Sequence, residues 1–186
     1  TPGPAPSVSC AQQLEASRKI LFAAGLIGHY DELNVGFGNI SIRYGAPGQF
    51  LITGTQTGHI ETTSEAHYSL VTQYDVDRNT VSCTGPAQAS SEAMTHAAIY
   101  ELHPGIVAVV HVHSKLLWDR HLNQLPTTSA DIPYGTPQMA QEFRRLYEET
   151  AFSSQGLAVM GGHEEGLVSI GESLDVATSR VMALLD

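Results

Sequence analysis

The chain has 186 residues, 42 % apolar and 15 % charged, a globular composition that excludes a disordered or fibrous chain and is long enough to bury a core without disulfide staples. Nine Lys and Arg against 19 Asp and Glu leave a formal net charge of −10, a field that repels phosphate backbones and argues against nucleic acid as a partner. The longest apolar run, 20–27, falls far short of the roughly 20 residues of a membrane span, and the opening TPGPAPSVSC has no basic region followed by an apolar stretch, so neither a membrane anchor nor a secretory signal is expected.

In chain order, residues 1–10 read as a disordered or draped tail and 11–186 as one domain. A helix over 11–30 is predicted from the apolar stripe Leu14, Ile20, Leu21, Ala24 and Leu26. Gly36 and Gly38 precede an alternating strand at 40–43, and the turn Ala46-Pro47-Gly48 leads to a second strand at 49–53, a hairpin pattern. TGTQTG (53–58) is a polar turn, and YSLVTQYD (68–75) is a further strand. Ser90 and Ser91 stand ahead of good helix formers in EAMTHAAIYEL, which His103-Pro104-Gly105 stops. The β-branched run 106–112 predicts a central strand. A helix opens near 133–137 and runs to about 149; LAVMGG (157–162) and GLVSIG (166–171) are short strands flanking His163, and 173–185 closes the chain as a helix. Interleaved strands and helices predict an α/β sheet with helices packed on it, and the short early links favour a mixed or mainly antiparallel sheet.

Nine histidines are many for this length. His111 and His113 end the apolar strand, and strand residues i and i+2 share a face, roughly 6.6 Å apart. Two imidazoles so placed can lean onto one zinc ion at about 2.0–2.1 Å. The same pattern also fits one core histidine and one surface histidine. A third ligand is required, and His163 is the best candidate because Gly161, Gly162 and Gly166 free the backbone around it; otherwise it is a loop histidine. His59, His67, His96, His103 and His121 lie in ordinary helical, turn or polar contexts. Glu92 sits in a first helical turn, where the dipole favours a carboxylate, and shares a helix face with His96 at i and i+4. Ser90 and Ser91 are ordinary caps or, with free backbone N–H groups, an anion site. Cys10 and Cys83 occur in unrelated contexts, which suits a reducing, cytoplasmic compartment.

In order, GNISIR (38–43), FLITGTQTG (50–58), SSE followed by HAAIY (90–100), AVVHVHS (108–114) and GGHEEGLVSIGESLDVA (161–177) resemble the class II aldolase/adducin family, of the L-fuculose-1-phosphate aldolase type. The resemblance implies a three-layer α/β/α single domain around a mixed, mainly antiparallel sheet, and a homotetramer with active sites between subunits. It implies that His111, His113 and His163 bind Zn2+ or another divalent metal and that Glu92 transfers a proton. Gly38 with Asn39, Thr57 and Gly58 of the TGTQTG turn, and Ser90 with Ser91 would then cradle a substrate phosphate. Tyr134 is the one tyrosine near the region where relatives carry a catalytic tyrosine. Relatives also close the site with a C-terminal segment, whereas this sequence stops at Asp186, soon after the last motif. The implied activity is a zinc-dependent lyase that cleaves a carbon–carbon bond of a small hydroxy-carbonyl compound, such as a sugar phosphate, through a metal-stabilised enediolate. A dehydratase, decarboxylase or epimerase could use the same site, as could a metallohydrolase. A non-catalytic adducin-like interaction module would be expected to lack the metal residues.

Overall fold

The computed structural model describes residues 1–186. Helix α1 (Val8–Ala23) begins where the Ser7 hydroxyl accepts from the Cys10 amide, three residues before the expected start. It stops well short of residue 30, because Gly25 takes a left-handed φ of +71°. The chain then folds into a small hairpin, β1 (Gly28–Tyr30) against β2 (Val35–Phe37), which strands of three residues do not announce in sequence. Ile20, expected on the buried stripe, is 50 % exposed, and the buried face is Ala11, Leu14, Ser17, Arg18 and Leu21. Pro2 bridges to Gly85, so the first residues lie along the far edge of the sheet.

That sheet has seven strands: β3 (Asn39–Arg43), β4 (Phe50–Thr53), β5 (Tyr68–Asp75), β6 (Thr80–Thr84), β7 (Ala108–His113), β8 (Leu157–Val159) and β9 (Gly166–Gly171). Their spatial order is β6-β5-β4-β3-β7-β9-β8. Every neighbouring pair is antiparallel, the limiting case of the mainly antiparallel sheet expected. β7 is central, with His111 opposite Asn39 on one side and Val168 on the other.

Helices cover both faces. α1 and α6 (Leu174–Met182) pack Leu14, Leu21 and Val181 onto Ile40, Val110, Val112 and Leu167. α2 (Ala93–Leu102), α4 (Pro137–Glu149) and the short α5 (Phe152–Gln155) pack Ile99, Phe143 and Phe152 onto Phe50, Ile52, Val109 and Val168. α3 (Lys115–His121) follows β7 directly and is capped by Ser114, whose hydroxyl accepts from the Leu117 amide. The result is the three-layer α/β/α arrangement. Strand period fixes the consequence for chemistry: Val110 and Val112 face α1 and α6, so His111 and His113 face α2.

Candidate metal centre

The site forms at the end of the sheet where β7 finishes. His111 is 2 % exposed, opposite Asn39, and His113 closes the strand one pleat further out. The turn from β8 to β9 is tight: the His163 amide donates to Met160 O at 3.2 Å and the Gly166 amide to His163 O at 2.9 Å. This turn folds His163 back over the strand end, and Glu165 within it holds a left-handed φ of +70°. The three imidazoles converge, with ring centroids 4.9 Å (His111–His113), 5.3 Å (His111–His163) and 4.7 Å (His113–His163) apart. One ring nitrogen from each lies within 4.8 Å of the others, so small side-chain rotations can bring all three onto one ion.

The residues fit a metal on two further counts. His111 Nε2 is buried and has no hydrogen-bond partner in the protein, an arrangement that costs free energy unless something else accepts or coordinates there. Burial holds all three rings neutral. It pushes His163 down to about 4, and with His163 nearby it pushes His113 down to about 3. His111 lies well below the usual histidine range, first from burial and then from the neighbouring histidines. Three neutral imidazoles, each able to offer one ring nitrogen, are a donor set that zinc takes.

Glu92 is the N-cap of α2, one step outside the expected first turn. It is 5 % exposed, accepts from the Thr95 hydroxyl at 3.0 Å and lines the same cavity as the histidines. Burial pushes its carboxyl up to about 7, partly offset by the Thr95 bond. The Glu92–His96 contact that the spacing allowed is replaced by another: His96 spends both ring nitrogens on Ser41 (2.6 Å) and Asn39 (2.6 Å).

The polar segments of the sequence meet here as well. Thr55 N bonds Gln88 O at 2.8 Å and Ser90 N bonds Thr53 O at 3.1 Å, laying the 53–58 turn along the segment that leads into α2. Gly38, Asn39, Thr57, Gly58, Ser90, Ser91 and Tyr134 all line one cavity of about 130 Å³ with Glu92 and the three histidines. Tyr134 is half exposed, its ring centroid 4.1 Å from that of His163. Gly38 needs its φ of +76°, and a Cβ there would press on Ile27 Cγ1 at 2.7 Å. Gly58 packs so closely on the backbone of Gly28 that a Cβ would collide with Gly28 O. The Asn39 side chain bonds His96 and His111, its Nδ2 3.3 Å from His111 Nδ1. The lining contains no lysine or arginine, so an anionic ligand would rely on hydroxyls, amides, backbone N–H groups and any bound cation.

Three contributors escape a reading of the sequence. Tyr30, expected at the end of a helix, sits on β1 with its hydroxyl 3.2 Å from His113 Nδ1 and donating to Glu165. His96 has the sequence context of an ordinary helical residue. Arg18 is fully buried on α1, where its guanidinium donates to Thr57 O (2.9 Å), Ile60 O (2.5 Å) and Glu61 O (3.3 Å). An arginine on an otherwise apolar stripe is the available signal for the last. Arg18→Met should lower stability by about 3 kcal/mol, because buried carbonyls lose charged donors. A urea titration checks this. The same variant should loosen the 53–58 turn, read as faster amide hydrogen exchange there, while exchange in the strand that carries His111 and His113 stays at the wild-type rate.

A family profile described as "Class II Aldolase and Adducin N-terminal domain" matches residues 18–185. Among solved structures, YgbL of Klebsiella pneumoniae, whose proposed assignment spans aldolase, epimerase and decarboxylase, is 21 % identical with a TM-score of 0.69, covering 95 % of this chain and 84 % of its own. The L-fuculose-1-phosphate aldolase of Thermus thermophilus is 19 % identical (TM-score 0.68, 96 % and 90 % covered). A sugar-phosphate aldolase of Thermotoga maritima is 17 % identical (TM-score 0.68, 95 % and 90 % covered). At these identities the likeness is one of fold. No curated protein matches the chain in sequence.

Proposed function

We infer that this chain, which belongs to the class II aldolase and adducin family, is a zinc-dependent lyase that cleaves a carbon–carbon bond beside a carbonyl in a small hydroxy-carbonyl substrate. The observation that carries the reading is the convergence of His111, His113 and His163, with an unpartnered buried nitrogen, beside a carboxyl tuned to about 7. Zinc held by the three imidazoles would supply Lewis acidity for the negative charge that bond cleavage leaves on the carbonyl fragment.

The protein's own groups supply the rest. Glu92, near the midpoint of its titration at neutral pH, can take a proton from the substrate hydroxyl and return one to the carbon left behind. Tyr134, beside His163, would hydrogen-bond the oxygen of the departing aldehyde as Glu92 takes its proton. Hydroxyls of Ser90 and Ser91 with backbone N–H groups near Gly38 and in the Thr57-Gly58 turn, which the Thr57 hydroxyl braces by donating to Gly54 O at 2.9 Å, would hold the distal end of the substrate, a phosphate included. Tyr30 accepts from His113 and donates its own proton to Glu165, which fixes the outer ring of the cluster.

Presence of the whole histidine set and Glu92 speaks against a purely adducin-like module. A decarboxylase, epimerase or dehydratase would use the same charge-stabilising site, and fold does not choose among them. We further propose a cytoplasmic homotetramer with sites between subunits, in keeping with the two free cysteines and the half-exposed Tyr134 at the site.

The test is a lyase assay of the zinc-loaded chain against paired hydroxy-carbonyl substrates with and without a terminal phosphate. Aldehyde release that disappears on chelation and returns with zinc supports the reading. Loss of carbon dioxide or water in place of aldehyde release, or turnover indifferent to chelation, would replace it.

A further inference from the structure

Behind the histidine cluster runs a line of five polar side chains cut off from water: Tyr100, Ser41, His96, Asn39 and His111, none more than 5 % exposed. The spacings are 2.8 Å (Tyr100–Ser41), 2.6 Å (Ser41–His96 Nδ1), 2.6 Å (His96 Nε2–Asn39) and 3.3 Å (Asn39–His111 Nδ1). Each member meets only uncharged side chains along the line, and no carboxylate, lysine or arginine touches it between Ser41 and His111. In a neutral line of this kind each group must give what its neighbour takes, and the whole line has a direction.

Metal capture sets that direction. The buried, unpartnered nitrogen of His111 is Nε2. For Nε2 to offer a lone pair, the ring proton must sit on Nδ1 and find an acceptor. Asn39 is the side chain at Nδ1, and its amide has one donating and one accepting end. In the structure the donating Nδ2 faces His111 and the carbonyl faces His96. That direction leaves the His111 proton on Nε2, where nothing accepts it.

A half-turn of the amide exchanges the two ends with almost no other movement. The carbonyl then accepts from His111 Nδ1–H, and the amide N–H donates to His96 Nε2. His96 donates from Nδ1 to Ser41, Ser41 to Tyr100, and Tyr100 to Val107 O at 3.4 Å. Each group stays satisfied, and His111 Nε2 is free to coordinate.

We propose that His96 is a positioning residue of the metal centre: with Ser41 behind it, it takes the Asn39 amide N–H, turns the carbonyl onto His111 Nδ1–H, and so fixes the His111 tautomer that binds metal. The proposal rests on the zinc reading above. It also gives the Asn39 side chain a task at the metal in addition to any contact with substrate.

Two substitutions on the full chain separate polarity from packing, read by zinc affinity in competition with a chelator. His96→Leu removes the acceptor and should weaken zinc binding roughly 10–100-fold, the usual cost of losing an outer-shell partner. His96→Gln can accept from Asn39 through Oε1 and donate to Ser41 through Nε2, and should stay near wild type. In the zinc-loaded wild type, long-range proton–nitrogen spectra should place the His111 ring proton on Nδ1. Wild-type affinity in His96→Leu, equal losses in the Leu and Gln variants, or a proton on another nitrogen overturns the proposal while leaving the zinc reading standing. No zinc bound by the wild type overturns both. If circular dichroism shows that His96→Leu does not fold, the ring spectra of the zinc-loaded wild type carry the test: a His96 proton on Nδ1 with Nε2 unprotonated supports the proposal, and a His96 proton on Nε2 overturns it.

Discussion

His111→Ala protein is expected to carry no zinc under conditions where the wild type carries about one ion per chain. The loss should exceed the roughly 10–100-fold that outer-shell changes cost, because a coordinating nitrogen is removed outright. Elemental analysis of the purified protein, with chelator competition for affinity, makes the measurement. His111 is nearly fully buried between β3 and β9, so its truncation also opens a cavity and costs on the order of 2–4 kcal/mol of stability. His163→Ala separates the two effects, since that side chain sits on a turn and is only partly buried. Zinc lost from both variants, with stability lost only from the first, is the expected pattern. Retention of zinc in either variant would remove that histidine from the ligand set, and activity surviving without metal would end the Lewis-acid account.

Glu92→Gln should keep zinc, because the three histidines remain, and should lower kcat by roughly 10²–10⁴, the usual share of a general acid–base. An equal fall in kcat and kcat/KM would place the lost interaction in the transition state, whereas a rise in KM alone would make Glu92 a binding group. The variant carries a second expectation, in metal-free protein. The folded carboxyl titrates near 7 against 4.5 in the unfolded chain, so its contribution to stability is fully present below 4.5 and is lost as pH rises through 7. At pH 8 the wild type therefore buries a charge at a cost of up to about 3 kcal/mol, which glutamine does not carry. Urea titrations should show Glu92→Gln more stable than wild type at pH 8 and alike at pH 4.5. The histidines run the other way. His96, His113 and His163 are depressed by burial, so their contribution is present above 6.5 and is lost as pH falls towards 3 to 4, and acid should unfold both proteins.

Local pattern carried much of this protein. The hairpin of β3 and β4, the strand β5, the helix after Ser90 and Ser91, and the central strand bearing the two histidines each follow from a period or a breaker inside a window of a few residues. The same two-residue period put His111 and His113 on one face, and the glycines around His163 marked a turn able to bend. These features depend on neighbours in sequence, so the sequence by itself determined them.

Tertiary structure decided the rest, because the deciding partners lie far along the chain. Arg18 reads as an interruption of an apolar stripe until the carbonyls of Thr57, Ile60 and Glu61 arrive around it, and these, with the Glu15 carboxylate 3.9 Å away, make a buried guanidinium tolerable. Tyr30 continues a helical pattern until Gly25 breaks the helix and β2 offers a strand to pair with. His96 is an unremarkable helix residue until β3 lays Asn39 and Ser41 across its two ring nitrogens. Ligands can be read from spacing along one strand, whereas the groups that orient them cannot, since hydrogen bonds between β3, α2 and β7 exist only once the sheet has closed.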